Sequence, residues 1–399
     1  MRSNSVPLLV KHVSMVSLAF ALVLLPIPEA QAQSFSVIYS FTGGADGGYP
    51  TDGFVIGSAG NLYATASVGG AYGAGVVFKL SETGAENVLY NFTGGADGAN
   101  PNSRLTSDAD GYLYGTTFSG GANGAGTVFK VTLAGAETVV YSFKGGTDGA
   151  NPIAQLTFDG EGNLYGTTSA GGAYNGGTVF EVSKAGIETV LHSFGNGTDG
   201  TDPVAGVTLT KKGQIFGTTA AGGASGDGTV FALTPSQSGW KETILHSFAL
   251  GTDGGTPYAG LVYDQSGNLY GTTTAGGQGG EDGGGTIFKL TPSGGELTFS
   301  VLDGLAGYGI SGTYRNVLLD ASGNIYATTH CDGTYSAGTV YELTPSGSTW
   351  NYNPLYEFTG GSDGLYSFSN LVFDKQGNLY GTTKYGGAKG YGVAFKITP

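Results

Sequence analysis

The sequence is poor in cysteine, in positive charge and in long hydrophobic runs, and each shortage narrows what the protein can be. Its single cysteine, Cys331, cannot form an internal disulfide, so stability must come from burial. Against 30 aspartates and glutamates it carries 16 lysines and arginines, a net charge of −14, which repels phosphate backbones. We therefore expect no nucleic acid among its partners. Neither an H-E-x-x-H zinc motif nor a Gly-Lys-Ser/Thr phosphate loop occurs.

The main apolar run lies near the N-terminus, from Val13 to Ile27, and follows the basic residues Arg2 and Lys11. Because Ala30-Gln31-Ala32 is a small-x-small cleavage site, this pattern predicts that residues 1–32 are a secretory signal peptide, removed from the mature protein. The run is short for a bilayer span, and no second run approaches the required length. We expect a secreted or periplasmic bacterial protein without a membrane span, a monomer in which residues 33–399 form one domain.

What the chain has in abundance is one repeated phrase. A Gly-Asn-Leu-Tyr-Gly-Thr-Thr core, a glycine-rich gap and a Gly-Thr-Val-Phe-Lys-Leu segment recur seven times, at steps of 51 to 56 residues. The aromatic residue of the core falls at Tyr63, Tyr114, Tyr165, Phe216, Tyr270, Tyr326 and Tyr380. A fixed period of this size is typical of propellers and solenoids. Because the aromatics keep the same period, they are predicted to form the core, and the 76 glycines are predicted to serve turns.

Each copy is predicted to form a blade of four antiparallel strands, named A to D. In the fifth copy, strand A covers Tyr258 to Asp264, strand B Asn268 to Thr274 and strand C Gly285 to Thr291, and strand D begins near Glu296. One such sheet cannot bury both faces alone, whereas seven packed around an axis cover one another. The predicted fold class is therefore all-β, a seven-bladed β-propeller, with a linear β-solenoid as the alternative.

The two ends of the repeat predict how the ring closes. The first segment, Phe35 to Phe41, matches a strand D, and the last, Gly392 to Thr398, matches a strand C. We expect the N-terminal strand to complete the last blade, which removes two unpaired edges.

The repeated phrases resemble a known family. Phe-x-Gly-Gly-x-Asp-Gly, Gly-Asn-Leu-Tyr-Gly-Thr-Thr and Gly-Thr-Val-Phe-Lys-Leu-Thr-Pro are similar to the GloVer-type tandem repeat of bacterial "choice-of-anchor" proteins, over nearly the whole of residues 33–399. The resemblance implies a secreted or surface propeller. It implies no catalytic residues. Members of this family often end in an anchor segment, and we expect none in this sequence.

Most polar residues of the repeat have a structural explanation. The aspartate of each Gly-Gly-x-Asp-Gly segment, such as Asp148, is predicted to cap its own turn rather than to share an ion with the next blade. His192 and His246 stand where other copies have a tyrosine of strand D, and we interpret them as packing variants. We expect no metal site and no cofactor.

The sixth copy departs most from the repeat, so the candidate site is placed there. Its strand A opens with Tyr314-Arg315-Asn316, and its strand B ends in His330-Cys331-Asp332. If the site is catalytic, the candidate residues are His330, Arg315, Tyr314 and Asp332, with His330 as acid or base. Candidate ligand-binding residues, at or near the channel mouth, are Arg104, Gln155, Asn316, Asn370, Tyr308 and Tyr335. Alternation along a strand predicts that Cys331 points away from His330 and Asp332.

Two functions remain open at this stage. The first is an extracytoplasmic binding or scaffold module that takes a glycan or a protein ligand on its glycine-rich face. The second is a carbohydrate-active enzyme, a polysaccharide lyase or glycoside hydrolase, for which the arginine suits a uronic-acid carboxylate. A hydrolase needs two positioned carboxylates, for which Asp332 and Asp52 are the candidates.

Overall fold

The repeats fold into short antiparallel strands, and the computed structural model describes residues 33–278, 283–305 and 312–399. The segment predicted to be a signal peptide, residues 1–32, and Tyr308 lie outside the described residues. Within the described ranges the strands form seven sheets, and the only helical element there is a 3-10 turn over Gly146–Asp148. This confirms the seven-bladed β-propeller. The search of the described residues for a long, apolar helix able to cross a membrane finds none.

The strands of the first three blades, with the N-terminal strand before them, follow in chain order. They are β1 (Ser34–Ser40), β2 (Gly48–Pro50), β3 (Val55–Ile56), β4 (Leu62–Val68), β5 (Val76–Leu80), β6 (Glu86–Asn91), β7 (Ala99–Pro101), β8 (Thr106–Ser107), β9 (Leu113–Ser119), β10 (Thr127–Val131), β11 (Glu137–Ser142), β12 (Thr157–Phe158), β13 (Leu164–Thr168), β14 (Thr178–Val182) and β15 (Glu188–Ser193).

The remaining four blades continue the series. They contain β16 (Thr208–Leu209), β17 (Ile215–Thr219), β18 (Thr229–Ser236), β19 (Gly239–Ser247), β20 (Val262–Tyr263), β21 (Leu269–Thr272), β22 (Thr286–Ser293), β23 (Glu296–Gly304), β24 (Leu318–Leu319), β25 (Ile325–Thr328), β26 (Thr339–Ser346), β27 (Thr349–Glu357), β28 (Val372–Phe373), β29 (Leu379–Thr383) and β30 (Val393–Thr398). In the seventh sheet the order is β1-β30-β29-β28, so the N-terminal strand is the outer neighbour of the C-terminal one.

The innermost strand of each blade is shorter than the sequence predicts. In the fifth blade, strand A pairs with strand B only at Val262 and Tyr263, instead of from Tyr258 to Asp264. The preceding residues turn toward a neighbouring blade: the Ala259 carbonyl accepts a hydrogen bond from Thr218 Oγ1 of the fourth blade at 2.8 Å. Near the axis, the segments before strand A therefore form hydrogen bonds to a neighbouring blade and do not extend their own sheet.

The core lies between blades and is built on phenylalanine pairs. A buried phenylalanine that follows strand D meets the buried phenylalanine of the next blade's strand C edge to face, as in Phe143 with Phe180 and Phe194 with Phe231, both 5.0 Å between ring centroids. The seventh blade packs on the first in the same way, through Phe41 and Phe78 at 5.0 Å. Each buried ring contributes about 2–3 kcal/mol of transfer free energy, which explains why the position after strand D is aromatic in six of the seven copies, with Leu305 in the fifth.

The Thr-Thr pair of the repeat joins strands and blades. Its second threonine bonds across to the threonine of strand C, as in Thr168 and Thr178 at 2.8 Å between hydroxyl oxygens. Its first threonine donates to a carbonyl of the next blade, as Thr167 does to Ala205 at 2.9 Å. All four side chains are buried, so these hydrogen bonds satisfy groups that cannot reach water.

The outer strand carries the same irregularity in all seven blades. A β-bulge interrupts the pairing of strands C and D, for example between Val128 and Phe129 opposite Tyr141 and Val139, and its equivalents occur in the other six sheets. The bulge directs the strand-D tyrosine toward the aspartate of its own blade's next loop, so that Tyr141 Oη donates to Asp148 at 2.6 Å. The aspartate also accepts the Lys144 backbone N–H at 2.7 Å, as expected for a turn cap.

Candidate functional site

A cavity of about 170 Å³ lies on the axis of the ring. The short segments that precede strand A in several blades line this cavity. These segments leave their own sheet and face the axis of the ring. Its polar lining is Asp52, Gln155, Thr157, Thr208, Tyr258, Arg315, Asn316 and Asn370. Four of the predicted site residues are therefore brought together there: Gln155, Arg315, Asn316 and Asn370.

An ion pair between Asp52 and Arg315 forms the charged part of this cavity. Arg315 Nε lies 3.3 Å from Asp52 Oδ1, and the guanidinium also donates to two carbonyls, of Phe368 at 3.1 Å and Thr51 at 3.3 Å. Asp52 is 5 % exposed. Burial raises its pKa, while the Arg315 charge opposes that rise. Both side chains also make hydrogen bonds to other groups, so the ion pair is held in a fixed position on the axis.

A chain of hydrogen bonds extends from Asp52 to blades on either side. Asn370 Nδ2 donates to Asp52 Oδ1 at 2.6 Å, and the Arg104 backbone N–H donates to Asp52 Oδ2 at 2.9 Å. Asn370 Oδ1 accepts the Asn316 N–H, and Asn316 Oδ1 accepts the Gly260 N–H, both at 2.8 Å. The chain therefore joins blades five, six, seven, one and two.

The fourth blade has Gly206 at the corresponding place, and the third has Gln155. Gln155 is partly buried and lines the cavity.

An aromatic patch continues from the cavity toward the glycine-rich loops. We define it as Tyr258, Tyr314, His330, Tyr366, Phe368 and Tyr385, all partly exposed. His330 is its centre, with ring centroids 4.3 Å from Tyr366, 4.5 Å from Phe368 and 5.2 Å from Tyr314. Tyr258, 5.3 Å from Tyr314, belongs both to the patch and to the cavity lining, so the two form one continuous surface.

A lysine lies at this patch. Lys384 Nζ lies 5.3 Å from the Phe368 ring centroid and 5.4 Å from that of Tyr385. Burial, together with the Lys384 charge, lowers the pKa of His330 to about 4, so the imidazole is neutral near pH 7. Because Arg315 is paired with Asp52, Lys384 is the group at this partly apolar surface that favours an anionic ligand.

The remaining predicted residues lie elsewhere or serve the framework. The Arg104 guanidinium donates to the Phe54 carbonyl, from Nε at 3.1 Å and Nη2 at 2.9 Å. Asp332 is contacted by Tyr352 Oη of the outer strand at 3.5 Å, and Tyr335 is 60 % exposed in the loop before strand C. No contact brings these two into the patch among the residues described.

The alternation argument for Cys331 is wrong. Strand B of the sixth blade ends at Thr328, so His330 and Cys331 lie in a bend in which neighbouring side chains do not alternate. Cys331 Sγ is 2.6 Å from His330 Nδ1. The thiol therefore lies against the imidazole instead of pointing away from it.

Sequence reasoning missed four patch residues, Tyr258, Tyr366, Phe368 and Tyr385, and it also missed Lys384 beside them. A signal was available for two of them. Tyr258, Tyr314 and Phe368 share one position of the repeat, directly before the Arg315 position, where the third and fourth copies have Ile153 and Val204. At this position the repeat changes from an aliphatic to an aromatic residue. Because the position adjoins that of Arg315, the change indicates the surface that the aromatic patch forms.

Comparison with solved structures places the fold among propellers. The chain is similar to the extracellular domain of a candidate one-component system from B. thetaiotaomicron (13 % identity, TM-score 0.57), covering 91 % of this chain and 40 % of that one. It is also similar to an ulvan lyase bound to a saccharide of glucuronic acid and sulfated rhamnose (12 %, 0.53, covering 88 % and 94 %). A third is the periplasmic gluconolactonase PpgL of Pseudomonas aeruginosa (14 %, 0.53, covering 88 % and 98 %). The chain spans well under two thirds of the length of the first of these.

Sequence comparison gives the family. No curated protein matches the chain. The profile of the Gloeobacter/Verrucomicrobia repeat matches it three times, over residues 28–212, 88–280 and 208–399, which together extend from residue 28 to the last residue. The chain belongs to the Gloeobacter/Verrucomicrobia repeat family.

Proposed function

We propose that this protein is an extracytoplasmic binding module that takes an anionic saccharide across the aromatic patch. The observation that carries the proposal is the continuity of the patch with the axial cavity through Tyr258. Rings at several angles offer faces for the apolar side of a sugar, and Lys384 supplies positive charge for a carboxylate or sulfate.

The size of the cavity decides how such a ligand would bind. Ligand pockets that enclose a small molecule measure about 300–1,000 Å³, whereas this cavity measures about 170 Å³. We therefore propose that the sugar rings lie on the patch and that one substituent enters the cavity, where the Gln155 carboxamide meets it. Secretion or export to the periplasm, predicted from residues 1–32, would place the module where polysaccharides occur.

A polysaccharide lyase is the second candidate, and the neutral imidazole of His330 favours it. A base that is unprotonated near pH 7, beside Lys384 and Tyr314, has the composition needed to remove a proton next to a uronate carboxylate. A hydrolase is less well supported. Asp52 is engaged by Arg315, Asn370 and Arg104, and Asp332 contacts Tyr352 on the outer strand.

Calorimetric titration with oligogalacturonate, oligoglucuronate and a neutral gluco-oligosaccharide tests the proposal. We expect the acidic oligosaccharides to bind and the neutral one to bind at least tenfold more weakly. Phe368→Ala should weaken binding at least tenfold, since aromatic anchors dominate such surfaces. Tyr263→Ala is the matched control, because Tyr263 is an exposed aromatic (47 %) at the turn between strands A and B.

Incubation of the same oligosaccharides, followed by an assay for new unsaturated ends, separates the two candidates. Binding without turnover supports the module, while turnover that His330→Ala abolishes supports the lyase. Equal binding of acidic and neutral sugars, or binding that Phe368→Ala leaves unchanged, contradicts the proposed site.

A further inference from the structure

The outer rim of the ring repeats one three-residue arrangement at the junctions between blades. A strand-D tyrosine, the aspartate of the following loop and a glutamate from the next blade's strand D meet there. Its first three copies are Tyr39, Asp46 and Glu86; Tyr90, Asp97 and Glu137; and Tyr141, Asp148 and Glu188. In each copy the tyrosine hydroxyl donates to the aspartate, at 3.0, 2.9 and 2.6 Å.

At the junction of the third and fourth blades, histidine replaces the tyrosine and the hydrogen bond is lost. His192 Nε2 lies 3.4 Å from Asp199 Oδ2 and 3.8 Å from Glu242 Oε1. Both His192 Nε2 and Glu242 Oε1 are buried, and neither has a hydrogen-bond partner among the described residues. The glutamate oxygen also lacks a partner in the three tyrosine junctions, at Glu86, Glu137 and Glu188, so His192 Nε2 is the atom that sets this junction apart. A buried imidazole nitrogen without a partner is costly, so this junction calls for an explanation that the tyrosine junctions do not need.

We propose that His192, Asp199 and Glu242 bind one divalent transition-metal ion, of which Zn²⁺ is the representative. This departs from the expectation of no metal site, which rested on motif spacing along the chain. One ligand atom from each residue lies within 4.8 Å of the other two. Ligands at Zn–N and Zn–O distances of about 2.0–2.1 Å in a tetrahedron are about 3.4 Å apart, close to the two separations at His192 Nε2.

The donor set favours a transition metal over calcium. An imidazole nitrogen with two carboxylate oxygens suits Zn²⁺ and its neighbours, whereas Ca²⁺ takes six to eight oxygen ligands. Asp199 is already oriented, because its Oδ1 accepts the Gly195 N–H at 3.0 Å and leaves Oδ2 facing His192. The side chains are 10 to 19 % exposed, so an ion can enter and water can fill the fourth position.

The neighbouring junction is an internal control. There His246 Nε2 lies 3.0 Å from Asp253 Oδ2, a hydrogen-bonding distance. Phe299 occupies the place of Glu242 and stacks on the His246 ring, with centroids 3.7 Å apart. Among the described residues, the second histidine therefore has one carboxylate beside its Nε2 and lacks a glutamate like Glu242, and it should bind no ion.

Zinc titration of the whole chain tests this inference. The protein is prepared without a histidine tag and with Cys331→Ser, which removes the thiol beside His330, and is stripped with a chelator. Calorimetry should then show one Zn²⁺ per chain, and Zn²⁺ should raise the melting temperature by about 2–5 °C. Ca²⁺ should do neither.

Three variants locate the ion. His192→Tyr restores the residue of the first three junctions, so it should fold normally and bind Zn²⁺ at least about 100-fold more weakly, since it loses a direct ligand. Glu242→Gln should weaken binding at least tenfold, and His246→Tyr should leave it unchanged. If the parent protein does not bind Zn²⁺ at micromolar concentration, or if His192→Tyr binds as well as the parent, the inference is wrong.

A spectroscopic measurement keeps the test independent of any variant's folding. Co²⁺ bound by one imidazole and two carboxylates in a four-coordinate site gives visible absorption bands that the hydrated ion lacks. Their absence from the Co²⁺-loaded parent would overturn the site by itself. None of these measurements involves the saccharide surface, so they stand or fall apart from the proposed function.

Discussion

Blades three and four compared with blades six and seven show how this ring separates its framework from its site. Before strand A, the first pair reads Ile153-Ala154-Gln155 and Val204-Ala205-Gly206, and the second reads Tyr314-Arg315-Asn316 and Phe368-Ser369-Asn370. The phenylalanine pairs between blades are nevertheless the same in both places: Phe194 with Phe231 at 5.0 Å and Phe358 with Phe395 at 5.3 Å. The residue types at three consecutive inner positions therefore differ between the two pairs of blades, whereas the phenylalanine contact between the blades is the same in both.

The largest expected effect tests whether the phenylalanine pairs stabilise blades three and four as strongly as they stabilise blades six and seven. Phe194→Ala and Phe358→Ala each remove a fully buried ring, and each should lower the free energy of unfolding by about 3–5 kcal/mol. Melting temperature and denaturant midpoint measure both variants against the parent. If one sector tolerates the change and the other does not, the framework is not shared as described.

The next largest effect is expected at the axis, where the Asp52–Arg315 ion pair stands at the positions that are alanine in blades three and four. Asp52→Ala leaves the Arg315 charge without its partner, and should cost about 3 kcal/mol. Adding Arg315→Ala gives both positions the alanine found at Ala154 and Ala205, and should recover a large part of that loss. Thermal melts of the two single variants and the double variant form the cycle. A double variant whose loss equals the sum of the single losses would mean that the pair is not coupled.

A smaller effect sharpens the comparison of blade junctions. Thr218 Oγ1 donates to Ala259 at 2.8 Å, whereas Thr328 Oγ1 donates to Ser369 at 3.4 Å. Thr218→Val should therefore cost about 1 kcal/mol and Thr328→Val only a few tenths. Denaturant titration resolves the difference, and the reverse order would show that these hydrogen bonds do not set the strength of the junctions.

The smallest effect concerns pH and the outer rim. Burial raises the pKa of Glu86 and of Glu137 to about 7, and the charges of Asp46 and Asp97 add to that rise. The folded protein then holds protons that the unfolded chain releases between the ordinary pKa of 4.5 and 7, so stability falls as the pH rises through that window.

Replacing both glutamates with glutamine should remove that part of the pH dependence. Each site contributes about 1 kcal/mol, since partial exposure to solvent weakens the effect. Melting temperatures at pH 5 and pH 8 measure it. Glu82→Gln, at an exposed position, is the control and should keep the parent's slope. If the melting temperature of the double variant changed with pH as much as that of the parent, Glu86 and Glu137 would not be the source of this pH dependence.

The periodic residues were sufficient to predict the blades, because most copies repeat the same aromatic and threonine contacts, such as Phe143 with Phe180 and Thr168 with Thr178. The two-residue strand A could not be predicted. Tyr258 to Asp264 has strand composition, but hydrogen bonds such as that from Thr218 to Ala259 draw its first residues out of the sheet. Propensity is local, and the crowding at the axis comes from the neighbouring blade.

The site was predicted only in part, for a related reason. Arg315, Asn316 and Asn370 stood out as departures from a repeat, and they do meet at the axis. The partner of Arg315 is Asp52, 263 residues away along the chain, and the patch combines loops from three blades. Contacts of this kind depend on ring geometry, which one sequence does not provide.

The bulge repeated in all seven outer strands has a consequence for how copies of this protein behave at high concentration. A wheel of sheets presents seven free backbone edges to solvent, and a flat edge recruits strands from other molecules. The extra residue in each strand D twists that edge and interrupts its regular row of donors and acceptors. The bulges therefore disfavour edge-to-edge pairing between two copies of the ring, which is the contact that would extend a sheet from one molecule to the next.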